Sequence, residues 1–215
     1  MQKFFRNKLY IVSILLINTF FFYRCQSSDF IENKHYFSVK KPILVKEKII
    51  EFFSFYCEHC YQFNKEYKVS SELEKKLPDT IKIKKYHIIF NNQYKEKELT
   101  KAWIIANELN IEKKIFDKLF FLEFSNKKNF SKKIKKIFLQ VGIKGKTFEA
   151  IRNSKKIKKK LENQEKIFEV LQIRTIPSIL VLGKYIINME EIEFSTKNKY
   201  IYQLSNLIKF LLSKN

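Results

Sequence analysis

The chain has 215 residues, of which 45% are hydrophobic and 22 are phenylalanine, so it can bury a core and a globally disordered chain is excluded. Only three glycines and three prolines occur, which argues against a loop-rich all-β sandwich and favours long regular elements. The formal net charge of +21 comes from lysines spread along the whole chain, without a zinc-finger spacing or an RNA-binding aromatic motif. We therefore expect no nucleic-acid partner and attribute the charge to compositional drift. The positive charge should still favour binding to acidic partners and to anionic membranes.

Residues 1–27 have the layout of a secretory signal peptide. Three basic residues within the first eight positions precede an apolar run that reaches Tyr23, which is short for a membrane span. Small side chains at Cys25 and Ser27 favour cleavage after Ser27, and an uncleaved anchor stays open as an alternative. If the segment is removed there, the exported chain keeps two cysteines, Cys57 and Cys60.

Strands and one helix are predicted in the next part of the chain. Short alternation over 35–39 and the apolar run over 48–55 (KIIEFFSF) favour two strands, the second of them central and buried. Helical spacing begins at Cys60, so that Cys60, Phe63 and Tyr67 would share a face before Pro78 ends the segment. Residues 80–90 (TIKIKKYHIIF) again favour a strand.

The following stretch is predicted to be entirely helical over about 70 residues. Apolar side chains recur at helical spacing from Leu99 to Leu171, and Gly142 suits a helix C-cap. Strand character returns at 178–182, followed by a hairpin turn at Gly183-Lys184 and a return strand, and the chain closes with an amphipathic helix. This order predicts an α/β fold in which a helical subdomain is inserted into the sheet.

Cys57 and Cys60 lie at the predicted strand-to-helix turn, which is where a thiol can become reactive. The free N–H groups and the dipole of a helix N-terminus favour a thiolate, and His59 can donate a hydrogen bond or a positive charge to it. Cys57 would then exchange with substrate as the nucleophile, while the inward-facing Cys60 resolves the mixed disulfide.

Two other interpretations of the pair remain open at this point. Half of a structural zinc site would need two further ligands, and apart from His59 and Cys25 the chain offers only His35 and His87. The second alternative interpretation is a pair of cysteines that is chemically unreactive. We favour redox chemistry between the two sulfurs, which requires neither a metal nor a cofactor.

Several segments together resemble one known family, that of DsbA. They are EFFSFYCEHCYQF, KYHIIF, ELTKAW, VGIKG and IRTIPSILVLGKY. The resemblance runs from about Lys48 to the closing helix and implies a thioredoxin fold with an inserted all-helical subdomain. The implied division is a signal peptide at 1–27, a thioredoxin domain at 28–90 and 163–215, and a helical domain at 91–162.

The family resemblance also implies a function. A DsbA-like protein is a periplasmic oxidoreductase that gives its disulfide to unfolded exported polypeptides, and a DsbB-type membrane quinone reductase reoxidises it. A monomer is the default expectation. Alternatives are an isomerase or reductase acting on existing disulfides, and a chaperone-like module that binds peptides without redox turnover.

Four further positions take roles from the resemblance. Pro177 matches the family's cis-proline beside the disulfide, and Ile176 before it would pair with an extended substrate peptide. Glu51 matches a buried acid beneath the active site, and Lys85 is its expected partner. A buried acid must be paired or protonated, so Glu51 is either an electrostatic tuner or proton acceptor for Cys60 or a structural ion pair.

Glu58 departs from the family, which commonly has proline at this position. A carboxylate so close to the Cys57 thiolate opposes it by roughly 1.4 kcal/mol, or about one pKa unit. We expect Glu58 to make the thiolate less stable and the disulfide a somewhat weaker oxidant.

Overall fold

The computed structural model describes residues 30–90, 94–122 and 129–214. Within these residues one mixed sheet has the strand order β1-β5-β4-β2-β3. The strands are β1 (Tyr36–Ser38), β2 (Ile49–Phe53), β3 (Ile83–His87), β4 (Ser178–Val181) and β5 (Tyr185–Ile187). Strand β2 pairs in parallel with β3 and antiparallel with β4, and the remaining pairs are antiparallel. The predicted signal segment and Cys25 lie outside the described residues.

Strand β2 lies inside the sheet, between β4 and the edge strand β3, and all five of its side chains are fully buried. Successive side chains of a strand alternate between the two faces. Ile50 and Phe52 pack with Leu180 in one core on one face. On the other face, Ile49 and Phe53 enter two separate apolar cores, with Glu51 between them. Burial of each large apolar side chain stabilises the fold by about 1.5–3 kcal/mol, and this keeps the strand buried although it contains an acid.

The helical block predicted between the two strand regions is confirmed. It comprises α3 (Tyr94–Glu108), α4 (Glu112–Leu122), α5 (Phe130–Gln140), α6 (Gly145–Arg152) and α7 (Lys155–Leu171). Gly142 follows α5 with a φ of 93°, the left-handed conformation expected just after a helix C-cap. These helices share one apolar core with Phe53 and Phe55, so the insert packs directly onto the end of β2 that leads to the cysteines.

Helix α7 crosses the proposed domain boundary at residue 162. Ile157 in its first half is buried in the core of the helical block, whereas Ile167, Phe168 and Leu171 pack against the sheet. A single continuous helix therefore connects the insert to the sheet, and the boundary falls inside it.

The predicted helix after Cys60 differs from the observed one. Helix α1 (Glu58–Tyr61) continues into a π-helical turn (Gln62–Glu66), and α2 (Val69–Lys76) begins after a left-handed residue at Lys68. The N–H of Tyr67 donates to the Gln62 carbonyl five residues back, at 2.9 Å. Because the wider turn shifts the helical phase, Tyr67 is 36% exposed whereas Cys60 and Phe63 are buried, and the predicted common face of the three residues was wrong at Tyr67.

The hairpin between β4 and β5 lies one residue earlier than predicted. Leu182 and Gly183 are its left-handed residues, and the N–H of Lys184 donates to the Val181 carbonyl at 3.0 Å. A Cβ at position 183 would collide with the carbonyl oxygen of Ile43, so this turn requires glycine for space as well as for φ. The closing helix α8 (Lys197–Ser213) follows and packs its apolar face on the sheet.

Candidate active site

Cys57 is the N-cap residue of α1, directly after the loop that leaves β2. The Cys57 N–H donates to the Ser54 carbonyl at 3.2 Å, and its backbone is extended. The Cys60 N–H donates to Cys57 Sγ at 3.1 Å. The first sulfur of the pair thus occupies the position where a helix offers its unpaired N–H groups to an anion.

The two cysteines form a disulfide with a Cα–Cα separation of 5.2 Å. Cys60 is fully buried, whereas Cys57 is partly exposed. An incoming thiolate can therefore reach Cys57, and burial protects Cys60 from direct attack.

His59 and Glu58 lie on the solvent side of the motif, and both are exposed. Glu58 stands in the first turn of α1, where the helix dipole favours an acid. His59 lines a cavity of about 600 Å³ together with Ile176 and Pro177. The structure therefore brings His59 to the loop before β4, although more than a hundred residues separate them in the chain.

The loop before β4 lies against the disulfide. The peptide bond between Ile176 and Pro177 is cis, and the Ile176 carbonyl oxygen lies 3.8 Å from Cys57 Sγ. The cavity continues from this loop along β5, and its lining includes Phe37, Arg174, Ile186, Met189 and Tyr200. This mostly apolar groove thus adjoins the loop that contacts Cys57 Sγ.

Glu51 is completely buried beneath this site and is surrounded by hydrogen-bond donors. Lys85 Nζ lies 3.3 Å from Glu51 Oε2, as the β2–β3 register places these two residues side by side. Asn64 Nδ2 donates to Glu51 Oε1 at 2.5 Å, and Ser70 Oγ donates to Oε2. Sequence reasoning missed Asn64 and Ser70, because a polar residue in an amphipathic segment normally faces solvent.

His87 is the second buried polar group on this face, two residues along β3 from Lys85. Its Nδ1 lies 2.7 Å from Thr100 Oγ1, and Thr100 uses its own hydrogen to donate to the Glu96 carbonyl. Nδ1 must therefore carry the proton. Nε2 has no hydrogen-bond partner in the described structure, and the ring stacks on Phe55. Burial lowers the pKa of His87 from 6.5 to about 3, so the ring is neutral.

The described residues contain neither a cluster of His, Cys, Asp and Glu that could hold a metal ion nor a helix long and apolar enough to cross a membrane.

Trp103 lies in the core and donates its indole N–H to the Lys85 carbonyl at 2.8 Å, which covers part of the free edge of β3.

A disulfide that joins a helix N-cap to the next turn, on a thioredoxin fold and beside a cis-proline loop, defines the class of thiol–disulfide oxidoreductases. The family described as DSBA-like thioredoxin domain matches residues 48–198. The chain belongs to this family, as the sequence resemblance had predicted.

Named relatives agree with this assignment. The chain is 34% identical over 193 residues to the thiol:disulfide interchange protein DsbA of Dickeya dadantii, which covers 89% of this chain and 93% of that protein. It is 36% identical over 184 residues to the DsbA of Salmonella typhimurium, covering 85% and 88%. The crystal structure of the Klebsiella pneumoniae DsbA superposes with a TM-score of 0.77 at 27% identity, over 86% of this chain and 99% of that chain.

Proposed function

We propose that this protein donates its Cys57–Cys60 disulfide to newly exported polypeptides in the periplasm. The observation that carries the proposal is the asymmetry of the pair. Cys57 is partly exposed and its Sγ accepts an N–H from the first turn of α1, whereas Cys60 is fully buried. A protein that oxidises other proteins needs one exposed sulfur that leaves easily as thiolate and a second sulfur that does not react with external thiols.

The reaction proceeds in two exchanges. A substrate thiolate attacks Cys57 Sγ, the bond to Cys60 breaks, and Cys60 Sγ takes the electron pair and a proton. A second substrate thiolate then attacks the substrate sulfur of the mixed disulfide, and Cys57 leaves as thiolate. The substrate is oxidised by two electrons, and the enzyme pair is reduced by the same two.

The groups around Cys57 favour its role as a leaving group. A helix N-terminus stabilises an anion by about 0.3–1 kcal/mol at an exposed site. His59 in its protonated form would add a positive charge beside the sulfur, whereas the exposed Glu58 opposes it. Glu51, held under the pair with Lys85, would set the cost of negative charge at Cys60.

The groove beside the disulfide supports binding of extended peptides. The Ile176 carbonyl oxygen lies 3.8 Å from Cys57 Sγ. A substrate strand can pair with this backbone while the substrate cysteine reaches the sulfur. A DsbA of Proteus mirabilis has been crystallised with the non-covalently bound peptide PWATCDS, and its structure superposes on this chain with a TM-score of 0.76 at 29% identity. By analogy, unfolded proteins with free thiols are the substrates, and a DsbB-type membrane partner would restore the disulfide.

Oxidative refolding of a reduced secreted protein tests the proposal. Catalytic amounts of the oxidised enzyme, with glutathione disulfide as terminal oxidant, should accelerate the recovery of substrate activity, and Cys57→Ser should abolish the acceleration. A wild-type enzyme that accelerates only the reduction of an already oxidised substrate would show a reductase instead.

Two further measurements separate the alternatives. A low reduction potential against glutathione would favour reductase work over disulfide donation. Full cellular function in a Cys57→Ala, Cys60→Ala double variant would identify a redox-independent chaperone.

A further inference from the structure

The π-helical turn after α1 places one polar side chain between the buried acid and the disulfide. Asn64 lies in the middle of this turn, and its Nδ2 has two acceptors. One is Glu51 Oε1 at 2.5 Å, and the other is the Cys60 carbonyl oxygen at 3.0 Å. A primary amide nitrogen carries two hydrogens, so both are used. Asn64 thereby ties the backbone of the buried cysteine to the carboxylate beneath it.

The other two donors to Glu51 do not make this connection. Ser70 has one hydroxyl hydrogen, which its short contact to Glu51 Oε2 uses, and the 3.4 Å contact from Ser70 to Asn64 Oδ1 is the weaker one. Lys85 reaches the same Oε2 from β3 at 3.3 Å. Oε1, the oxygen on the Asn64 side, therefore depends on the amide for its hydrogen bond.

We propose that Asn64 is a positioning residue that holds the Glu51 carboxylate, as an anion, beneath Cys60 and so sets the reduction potential of the Cys57–Cys60 pair. A fixed anion near the pair disfavours the reduced state, in which negative charge develops on sulfur. Removing the amide leaves one carboxylate oxygen buried without a donor. A carboxylate that has lost this donor is no longer held in place beneath Cys60, and its effect on the sulfurs declines.

The proposal rests on the proposed function in so far as the disulfide is the working group, but its test needs no protein substrate. The reduction potential is measured by equilibrating each variant with glutathione buffers at pH 7 and trapping free thiols. Asn64→Ala and Glu51→Gln should each shift the equilibrium toward the reduced enzyme by about threefold, close to 14 mV for a two-electron couple. The double variant should match Glu51→Gln alone, because the amide acts through that carboxylate.

Two controls separate positioning from packing. Gln62→Ala alters a neutral amide in the same π turn and should leave the potential unchanged. Asn64→Leu fills the space without a donor and should shift the potential as Asn64→Ala does, since the lost hydrogen bond and not a cavity causes the effect. Thermal unfolding of the oxidised variants confirms that each is folded.

A wild-type potential in Asn64→Ala, or a shift that adds fully to that of Glu51→Gln, would overturn the proposal. A shift in Asn64→Ala without one in Glu51→Gln would overturn it as well, because the carboxylate would not be the intermediary. Failure of the proposed function has a different signature, namely a wild-type enzyme that does not oxidise a reduced secreted protein whatever its potential.

Discussion

Glu51 and His87 are buried on the same face of neighbouring strands, two positions apart, and the protein accommodates them in opposite ways. Glu51 receives three donors, one of them the cation of Lys85. Among the described residues the His87 ring has one hydrogen-bond partner, Thr100, and it also contacts aromatic rings such as those of Phe53 and Phe55. A buried carboxylate can be kept charged by donors and a counter-ion, whereas an imidazole can be buried simply by staying neutral.

The difference follows from the position of each group relative to the disulfide. Glu51 lies within reach of polar groups from two elements that follow the disulfide, Asn64 of the π turn and Ser70 of α2. His87 lies under Phe55, where the helical insert supplies apolar side chains. Glu51 therefore places a charged group at the active site, whereas His87 stays neutral and adds no charge to the adjoining core.

Removing the counter-ion of Glu51 should have the largest effect on stability. Lys85→Met leaves a fully buried carboxylate without its cation and should lower the free energy of unfolding by about 3 kcal/mol. Lys84→Met is the matched control, because Lys84 pairs with Glu112 on the surface and the loss should stay below about 1 kcal/mol. Urea unfolding of the oxidised proteins measures both. Equal losses in the two variants would mean that Glu51 does not depend on the cation.

The neutral His87 should make the protein sensitive to acid. Its pKa is about 3 in the folded state against 6.5 in the unfolded state, because burial disfavours the imidazolium. Above pH 6.5 both states are neutral and the contribution is complete. As the pH falls toward 3 the unfolded chain takes up a proton that the native state refuses, so stability is lost.

We expect this residue to account for a loss of about 3 kcal/mol between pH 7 and pH 4. The unfolding free energy of His87→Leu should fall less over that range than that of the wild type, since every other titrating group is shared. Parallel pH profiles for the two proteins would rule out a neutral buried histidine.

The hydrogen bond between the His87 ring and Thr100 can be removed separately. Thr100→Val leaves the Nδ1 proton buried without an acceptor and should cost about 2 kcal/mol in the unfolding free energy at pH 7. Thr147→Val at an exposed position of α6 controls for the change in helix propensity and should be close to neutral. A loss in Thr100→Val no larger than in Thr147→Val would show that the imidazole finds another acceptor.

The smallest effect is expected from the carboxylate of Glu58, because it is exposed to solvent, which screens its charge. Glu58→Pro should lower the pKa of the Cys57 thiol in the reduced enzyme by about one unit or less, because a like charge near the thiolate is removed. Ultraviolet absorbance of the thiolate during a pH titration gives the value. An unchanged or higher pKa in the variant would show that Glu58 does not oppose the thiolate.

Much of the candidate site was predictable because its parts are neighbours in the chain. A buried apolar strand, the spacing of Cys57 and Cys60, and helical periodicity after them place a reactive sulfur at a helix start without knowledge of the rest. The prediction failed at Tyr67, since a π turn adds a residue per turn and nothing in the local pattern announces it. The hairpin was displaced by one residue because close packing against Ile43 selects the position of the glycine.

The sequence by itself determined the elements, their order and the chemistry of the cysteine pair, because periodicity and helix-capping act over a few residues. The family resemblance added the expectation that Pro177 and Lys85 belong to the site. Only the tertiary structure decided which distant groups meet there: the Ile176 carbonyl at the sulfur of Cys57, Lys85 beside Glu51, and Asn64 between that acid and Cys60. These contacts depend on strand register, on a π turn and on the packing of the helical insert, which are set by the whole chain at once.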